Sequence, residues 1–344
     1  MVLLVLTLCL TARTASAQKT VRLTFAGDVT LGSEEHIRDK PYSLDSAARE
    51  HGYTYFFEKV RLLFEQDDLT IVNLEGVLSD SSEGERKDKT YRFRGPAEFA
   101  QILAEGDVEM VNLANNHTYD YGEAGYQDTQ RALYEAGIGC FGGRQAATVQ
   151  IDGIRIAFLG LSYSEMRKED RDWAAGEIKR LKNEGNVSAV VFTFHAGQEY
   201  SEARTQKQED YAKYAIEAGA DLVIMHHPHV VQGMSVIGGR SVLYSLGNFC
   251  FGGNRNVRAM EALAVAAELT FEDDGTYAGQ QIMLYPAHIS GTYPRSNYQP
   301  HFVSGTDARR VMRLVQQDTR FTLSPYEDEI GCAVQAYLPA DKIP

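Results

Sequence analysis

Positive charge is scarce in this chain: 34 lysines and arginines stand against 47 aspartates and glutamates in 344 residues, a formal net charge of −13. An acidic surface of that size repels nucleic acid, membranes and polyanions, so no nucleic-acid partner is expected, and an anionic substrate needs a local cationic centre. Cysteine is scarce too, at four residues with no CxxC pair. That excludes a disulfide framework and leaves a hydrophobic core to hold the fold. No apolar stretch reaches the ~20 residues that a membrane-spanning helix requires. No repeat and no linker rich in Pro, Gly or Ser divides the sequence, and a single domain over 18–344 is expected.

The first residues read as a targeting segment. Val2 to Leu10 is apolar throughout, and Ala15-Ser16-Ala17 has the small-x-small form of a signal-peptidase site. No Lys or Arg precedes Arg13, so the usual positive flank is missing. Residues 1–17 are read as a signal peptide, the alternative being a buried first strand. The mature chain is accordingly expected outside the cytoplasm, whether secreted, periplasmic or on the cell surface. Removing Cys9 with the leader leaves Cys140, Cys250 and Cys332, enough for one disulfide and a spare thiol.

What is present is a series of segments that read as buried strands, each ending in polar residues. Val21–Ala26 runs into Asp28, Leu69–Val72 into Asn73-Leu74-Glu75, and Val108–Leu113 into Asn115-Asn116-His117. Val190–Phe194 runs into His195, and Leu222–Met225 into His226-His227-Pro228-His229. Helix-length stretches lie between them at Tyr53–Glu65, Ala97–Glu105, Gly122–Ala136 and Gln206–Ala218, an alternation that predicts an α/β core. Asp152-Gly153 and Asp274-Gly275 mark hairpins, so the sheets are expected to be mixed. Ser79–Lys89 reads as an exposed loop.

In open α/β sheets ligands bind beyond the carboxyl ends of the strands. Five strands here end in residues able to hold metal, which points to a convergent site. A two-metal hydrolytic centre needs a bridging carboxylate, imidazole and oxygen donors, and room for water. Imidazole with carboxylate suits Zn, Fe or Mn, so one or two divalent transition ions are the expected cofactor. Asp28 and Glu75 offer carboxylates, Asn116 an amide oxygen, and His195, His227 and His229 nitrogens. Proline after His227 pushes that residue away from helix, so the His-Pro-His triplet is expected to be extended.

The runs FAGDVTLG, NLEGVL, YRFRGP, LANNHTYDYG, FHAGQEY, HHPHVVQG and YSLGNFCF resemble, in the same order over about Thr20 to Gly252, the CapA/PgsA capsule-synthesis family. That family is named for poly-γ-glutamate capsule production and is similar to the calcineurin-like metallophosphoesterases. The resemblance implies a four-layer α-β-β-α sandwich with two mixed sheets and metals at the strand ends. It implies that Asp28 is the carboxylate of the first motif and Glu75 the bridging one. Asn116 is implied as a ligand, His195 and His227 as ligands of a second metal, and His229 of a first. His117 is implied as the acid or transition-state stabiliser that is not a ligand. Three departures stand out: Thr30 replaces the histidine of the usual D-x-H motif, Glu75 replaces an aspartate, and His226 replaces the usual glycine before the His-x-His pair.

Other residues carry two readings. Arg94 either clamps an anionic group or pairs with Glu98 on the surface. Asp120 and Tyr121 lie in the Asn-His motif, with Asp120 counted beside His117 and Arg94 as catalytic. Glu199 and Asn248 either line the site or orient its ligands; Thr30 is counted with them, and His226 either does the same or only packs. His36, His51, His288 and His301 sit outside every motif.

These observations support a metal-dependent hydrolase outside the cytoplasm, its metal-bound hydroxide attacking a phosphoester or a γ-glutamyl amide. Its substrate is expected to be an anionic small molecule or polymer, poly-γ-glutamate included. The competing reading is a non-catalytic accessory protein for capsular polymer assembly or export, partnered by membrane polymer synthases. A secreted nucleotidase rests on fold analogy alone.

Overall fold

The computed structural model describes residues 18–163, 166–185, 187–253 and 255–340; the expected leader, residues 1–17, lies outside them. Four of the strands pair in parallel at the heart of one sheet: Lys19–Thr30, Leu69–Leu74, Met110–Asn112 and Gly139–Phe141. Two long antiparallel strands, Glu261–Phe271 and Tyr277–His288, extend it on the far side of Lys19–Thr30. The second sheet has six strands. Ile154–Ser162, Ala189–His195, Leu222–His226 and Arg240–Leu243 are parallel, with antiparallel Ala147–Ile151 and Met234–Ile237 at its edges. Both sheets are therefore mixed.

Side-chain alternation along the strands decides how the layers stack. Val21, Leu23 and Phe25 point to one face and meet Ile156, Phe158, Val191 and Ile224 of the second sheet, forming a core between the sheets. Ala26, Val72 and Val111 face the other way, under the helices Leu44–His51, Ala100–Glu105 and Gly122–Glu135. Leu159, Val190 and Val223 of the second sheet lie under the helices Lys168–Glu184 and Gln206–Ala218. The order is helix, sheet, sheet, helix: a four-layer α-β-β-α sandwich. Strands covered on both faces are apolar at most positions, and the polar side chains within them, such as Thr24, Thr70 and Thr193, are themselves buried.

The hairpin at Asp152-Gly153 places both residues at positive φ, 48° and 84°, as a tight two-residue turn requires. The stretch Tyr53–Glu65 departs from its expected helix. It forms a 3₁₀ turn at Thr54–Phe56 and a short helix at Arg61–Phe64. Phe56, Phe57, Val60, Leu63 and Phe64 are all buried with helical spacing, which is the pattern that suggested one helix, but residues 57–60 form a turn between the two short elements. All three cysteines among the described residues are free, so the expected option of a disulfide is not taken.

The carboxyl ends of the parallel strands in both sheets open on the same edge. Asp28 is level with Asn73, Asn73 with Asn112, and Ser162 with His195 and His195 with His226. The sheets approach closely there. A Cβ on Gly160 would stand 2.3 Å from the Asn112 Oδ1 and 2.7 Å from the Thr193 Oγ1. Near the opposite edge, burial and the charges of Asp107 and Asp67 push the Glu109 carboxyl up to about 7, although Oε2 accepts the Thr70 N–H at 2.8 Å.

Two outcomes follow from this packing. Gly160→Ala lowers the unfolding free energy by about 1–3 kcal/mol in a denaturant titration, because the new methyl overpacks the join between the sheets; an unchanged midpoint would refute the close approach. A carboxyl raised on folding contributes stability that is complete below its unfolded value of 4.5 and lost as pH rises towards 7. Glu109→Gln therefore raises Tm relative to the parent at pH 8 and gives no such gain at pH 4.

Candidate metal centre

Asp28 is fully buried near the end of the strand Lys19–Thr30, and each of its oxygens is engaged. Oδ1 accepts the Asn73 amide at 2.8 Å and lies 3.3 Å from the His226 Nδ1, while Oδ2 lies 3.1 Å from the His229 Nδ1. Burial opposes ionisation of this carboxyl, but the bonds to His226 and His229 outweigh it and hold Asp28 well below the usual range. Asn248, level with Asp28 on the neighbouring strand, holds the other side of His229 through its Oδ1 at 2.9 Å.

A second group of donors gathers around His195. Its Nε2 has the Asn116 Oδ1 at 2.8 Å, the His227 Nδ1 at 3.1 Å and the Glu75 Oε1 at 3.5 Å. Both oxygens of Glu75 are buried without a hydrogen-bond partner. Burial would raise that carboxyl, yet the charges of His195 and His229 hold it down at about 2. Burial and the neighbouring His195 push His227 down to about 3, so its ring is neutral and its lone pair free at neutral pH. His229 goes the other way, to about 9: burial lowers it, and Glu75 together with the Asp28 bond raises it further.

Donor atoms of Asp28, Glu75 and His195 all lie within 4.8 Å of one another, as do those of Glu199, His227 and His229. A buried carboxylate whose oxygens have no hydrogen-bond partner among the described residues, beside unprotonated imidazole, is a donor set that fits divalent metal. The two groups share one rim.

The His-Pro-His triplet reaches this rim by a route the proline rule does not predict. His227 has φ 101° and His229 φ 59°, so the triplet is a turn in the left-handed region and not an extended segment. Strain of this kind persists where the surroundings over-determine it. Here Pro228 O accepts the Tyr200 N–H at 2.7 Å, while His227 and His229 are held by His195, Asp28 and Asn248.

His117 sits on the opposite wall with its Nε2 3.8 Å from the Glu75 Oε1. Its Nδ1 bonds to the Asp120 Oδ2 at 2.7 Å, and Phe93 packs on the ring at 4.7 Å between centroids. Asp120 is fully buried; Oδ2 also accepts the Phe93 N–H, and Oδ1 binds the Lys89 ammonium. Lys89 further donates to the carbonyl of Asn116 at 2.8 Å. The otherwise exposed loop Ser79–Lys89 thus ends in a cation that steadies both the His117–Asp120 pair and the segment bearing Asn116.

Arg94 is not part of the cluster. Its Nη2 binds both oxygens of Glu35, at 3.0 and 2.9 Å, and its Nη1 donates to the Ser79 carbonyl at 2.6 Å, so it neither faces the donors nor pairs with Glu98. Tyr121 is buried with its ring 5.5 Å from the Arg94 guanidinium. Thr30 is fully buried with its hydroxyl unpartnered, and supplies no imidazole to Asp28. His226 does so from the other sheet. Sequence reasoning assigned no role to Asn73, whose amide nitrogen lies 3.3 Å from the His195 Nδ1 and whose oxygen accepts from Asn112 at 2.9 Å. Its place two residues before Glu75 at a strand end was the available signal. Lys89 had none beyond its loop.

The family model described as "Bacterial capsule synthesis protein PGA_cap" matches residues 22–253. Among curated proteins, the chain is 28% identical over 320 residues to "Capsule biosynthesis protein CapA" of Bacillus anthracis, covering 86% of this chain and 73% of that one. It is 25% identical over 247 residues to "PGA biosynthesis protein CapA" of Bacillus subtilis, covering 66% and 62%. A "Probable polyglutamine synthesis accessory protein" of Mycobacterium tuberculosis is 25% identical over 212 residues, covering 53% of this chain and 55% of its own.

Metal supplied at a hundredfold its Kd should raise the Tm of chelator-treated protein by about 5 °C. Glu75→Gln and His227→Ala should each keep cooperative unfolding and lose that rise. A full rise in either variant would place the metal elsewhere.

Proposed function

The chain belongs to the bacterial capsule synthesis PGA_cap family, associated with capsule and poly-γ-glutamate synthesis, and on that premise we propose that it is an extracytoplasmic metal-dependent hydrolase. Its bond to break is a γ-glutamyl amide of a capsular polymer, or a phosphoester. The observation that carries this reading is Glu75: a carboxylate buried with both oxygens unpaired, at the meeting point of His195 and His117. Asp28, Glu75, Asn116, His195, His227 and His229 would hold one or two ions, and the mixture of imidazole and carboxylate favours Mn, Fe or Zn. Such ions would lower the pKa of water and draw charge from the scissile group.

The protein's own groups do the rest. Asp120 receives the Nδ1 side of His117, which leaves Nε2 turned towards Glu75 and able to hold a proton for a departing group. Asn73, held by Asn112, fixes the ring of His195, and Asn248 fixes that of His229. The location outside the cytoplasm rests on the leader reading of residues 1–17. Membrane polymer synthases are the proposed partners.

A second reading, a non-catalytic accessory role in polymer assembly or export, is favoured by Thr30, which leaves Asp28 without the imidazole of the usual first motif. His226 at 3.3 Å from Asp28 weighs against it.

The two separate in one experiment. Purified protein supplied with Mn, Fe or Zn is assayed on poly-γ-glutamate and on a phosphoester panel, beside His227→Ala and His117→Ala. The hydrolase reading expects turnover that is lost in His227→Ala and falls by about 10²–10⁴-fold in His117→Ala with metal content retained. Turnover no greater than that of His227→Ala on every substrate leaves the accessory role.

A further inference from the structure

Beyond the rim of the metal centre the chain opens a cavity of about 360 Å³, lined by Arg258, Met260, Glu261, His288, Tyr293 and Arg310 among others. It lies past the last family motif, in a part of the sequence to which no role was assigned. Arg258 joins it to the metal centre. Its guanidinium carbon stands 3.5 Å over the Tyr200 ring, whose centroid is 5.9 Å from that of His229. Tyr200 in turn follows Glu199, which groups with His227 and His229.

The state of Arg258 sets it apart from the arginine first considered for anion binding. Arg94 is consumed by Glu35, and Arg310 by Glu261 at 2.8 Å. Arg258 is exposed, and among the described residues no carboxylate pairs with it. Tyr200 takes one face of its plane and a hydrogen bond, and no carboxylate among the described residues takes the remaining N–H groups, of the kind that hold a carboxylate oxygen pair in parallel. An orienting ring also removes part of the entropy cost of ordering the side chain. On a protein with 13 more negative than positive charges, such a cation beside a carboxylate-rich centre is where an acidic substrate gains its hold.

We infer that Arg258 and the adjoining cavity form a subsite for a carboxylate-bearing unit of the substrate, the unit next to the bond at the metal centre. The inference rests on the proposed hydrolase reading for its second half, the position of the scissile bond. The subsite itself stands on the geometry of Arg258. The apolar wall of Val257 and Met260 suits the methylenes of a glutamate-like unit, with His288 and Tyr293 left to meet its polar groups.

The probe is a γ-linked glutamate trimer titrated calorimetrically into the full chain loaded with Mn. Arg258→Gln should weaken the trimer at least about tenfold, with metal content and Tm unchanged. Arg258→Lys, which keeps charge but loses the planar fork, should recover only part. Equal affinity in Arg258→Gln overturns the subsite, and so does a parent protein that does not bind the trimer. Inorganic phosphate binding that depends on Arg258 without trimer binding overturns the carboxylate assignment. Failure of the two readings is distinguishable: trimer binding that needs Arg258 without any hydrolysis sinks only the hydrolase. Hydrolysis with an unchanged KM in Arg258→Gln sinks only the subsite.

Discussion

A carboxylate buried with neither oxygen hydrogen-bonded is a costly thing to keep in a protein interior, and Glu75 is the constraint around which this molecule is arranged. The neighbouring imidazoles of His195 and His229 are what hold it down against burial. Those histidines come from the other sheet, so the electrostatic balance at the site is also a bond between the two halves of the sandwich. Asn73 and Asn112 extend that join as a row of amides across the strand ends, and Gly160 leaves room for it.

Much of this could be read from residues alone, for a physical reason. Parallel strands buried on both faces are largely apolar, so a group of acidic, amide or imidazole residues closing such a segment marks the opening of the site. Asp28, His195 and His226 were legible on that basis. The layer order came with the motif resemblance and is borne by the alternation of Val21, Leu23 and Phe25 against Ala26.

Less legible was anything decided by contacts between distant segments. Arg94 sits in a motif, but its partner Glu35 is a residue no local pattern singles out. Lys89 looks like one more charge in a polar loop until Asp120 is seen beneath it. The helix Lys168–Glu184 carries its buried stripe at Ala174, Ile178 and Leu181 with correct helical spacing, diluted by charge on every other face. The turn at His227 and His229 escaped because the effect of proline on its predecessor excludes helix without choosing among the remaining conformations.

The order in which the chain visits its sheets has a consequence of another kind. It builds part of the first sheet, then the second, and then returns, so that Lys19–Thr30 pairs along its length with Glu261–Phe271 and, at Asp28, with Asn248. The first of the described strands waits for one made more than 200 residues later before its flank is closed. Pairings of such long sequence separation form slowly, and an unclosed strand edge is sticky in the meantime. Until most of the polypeptide has left the ribosome, then, the nascent chain holds Asp28 and His229 without the Asn248 that locks them, and the finished centre is a late event in the life of the molecule.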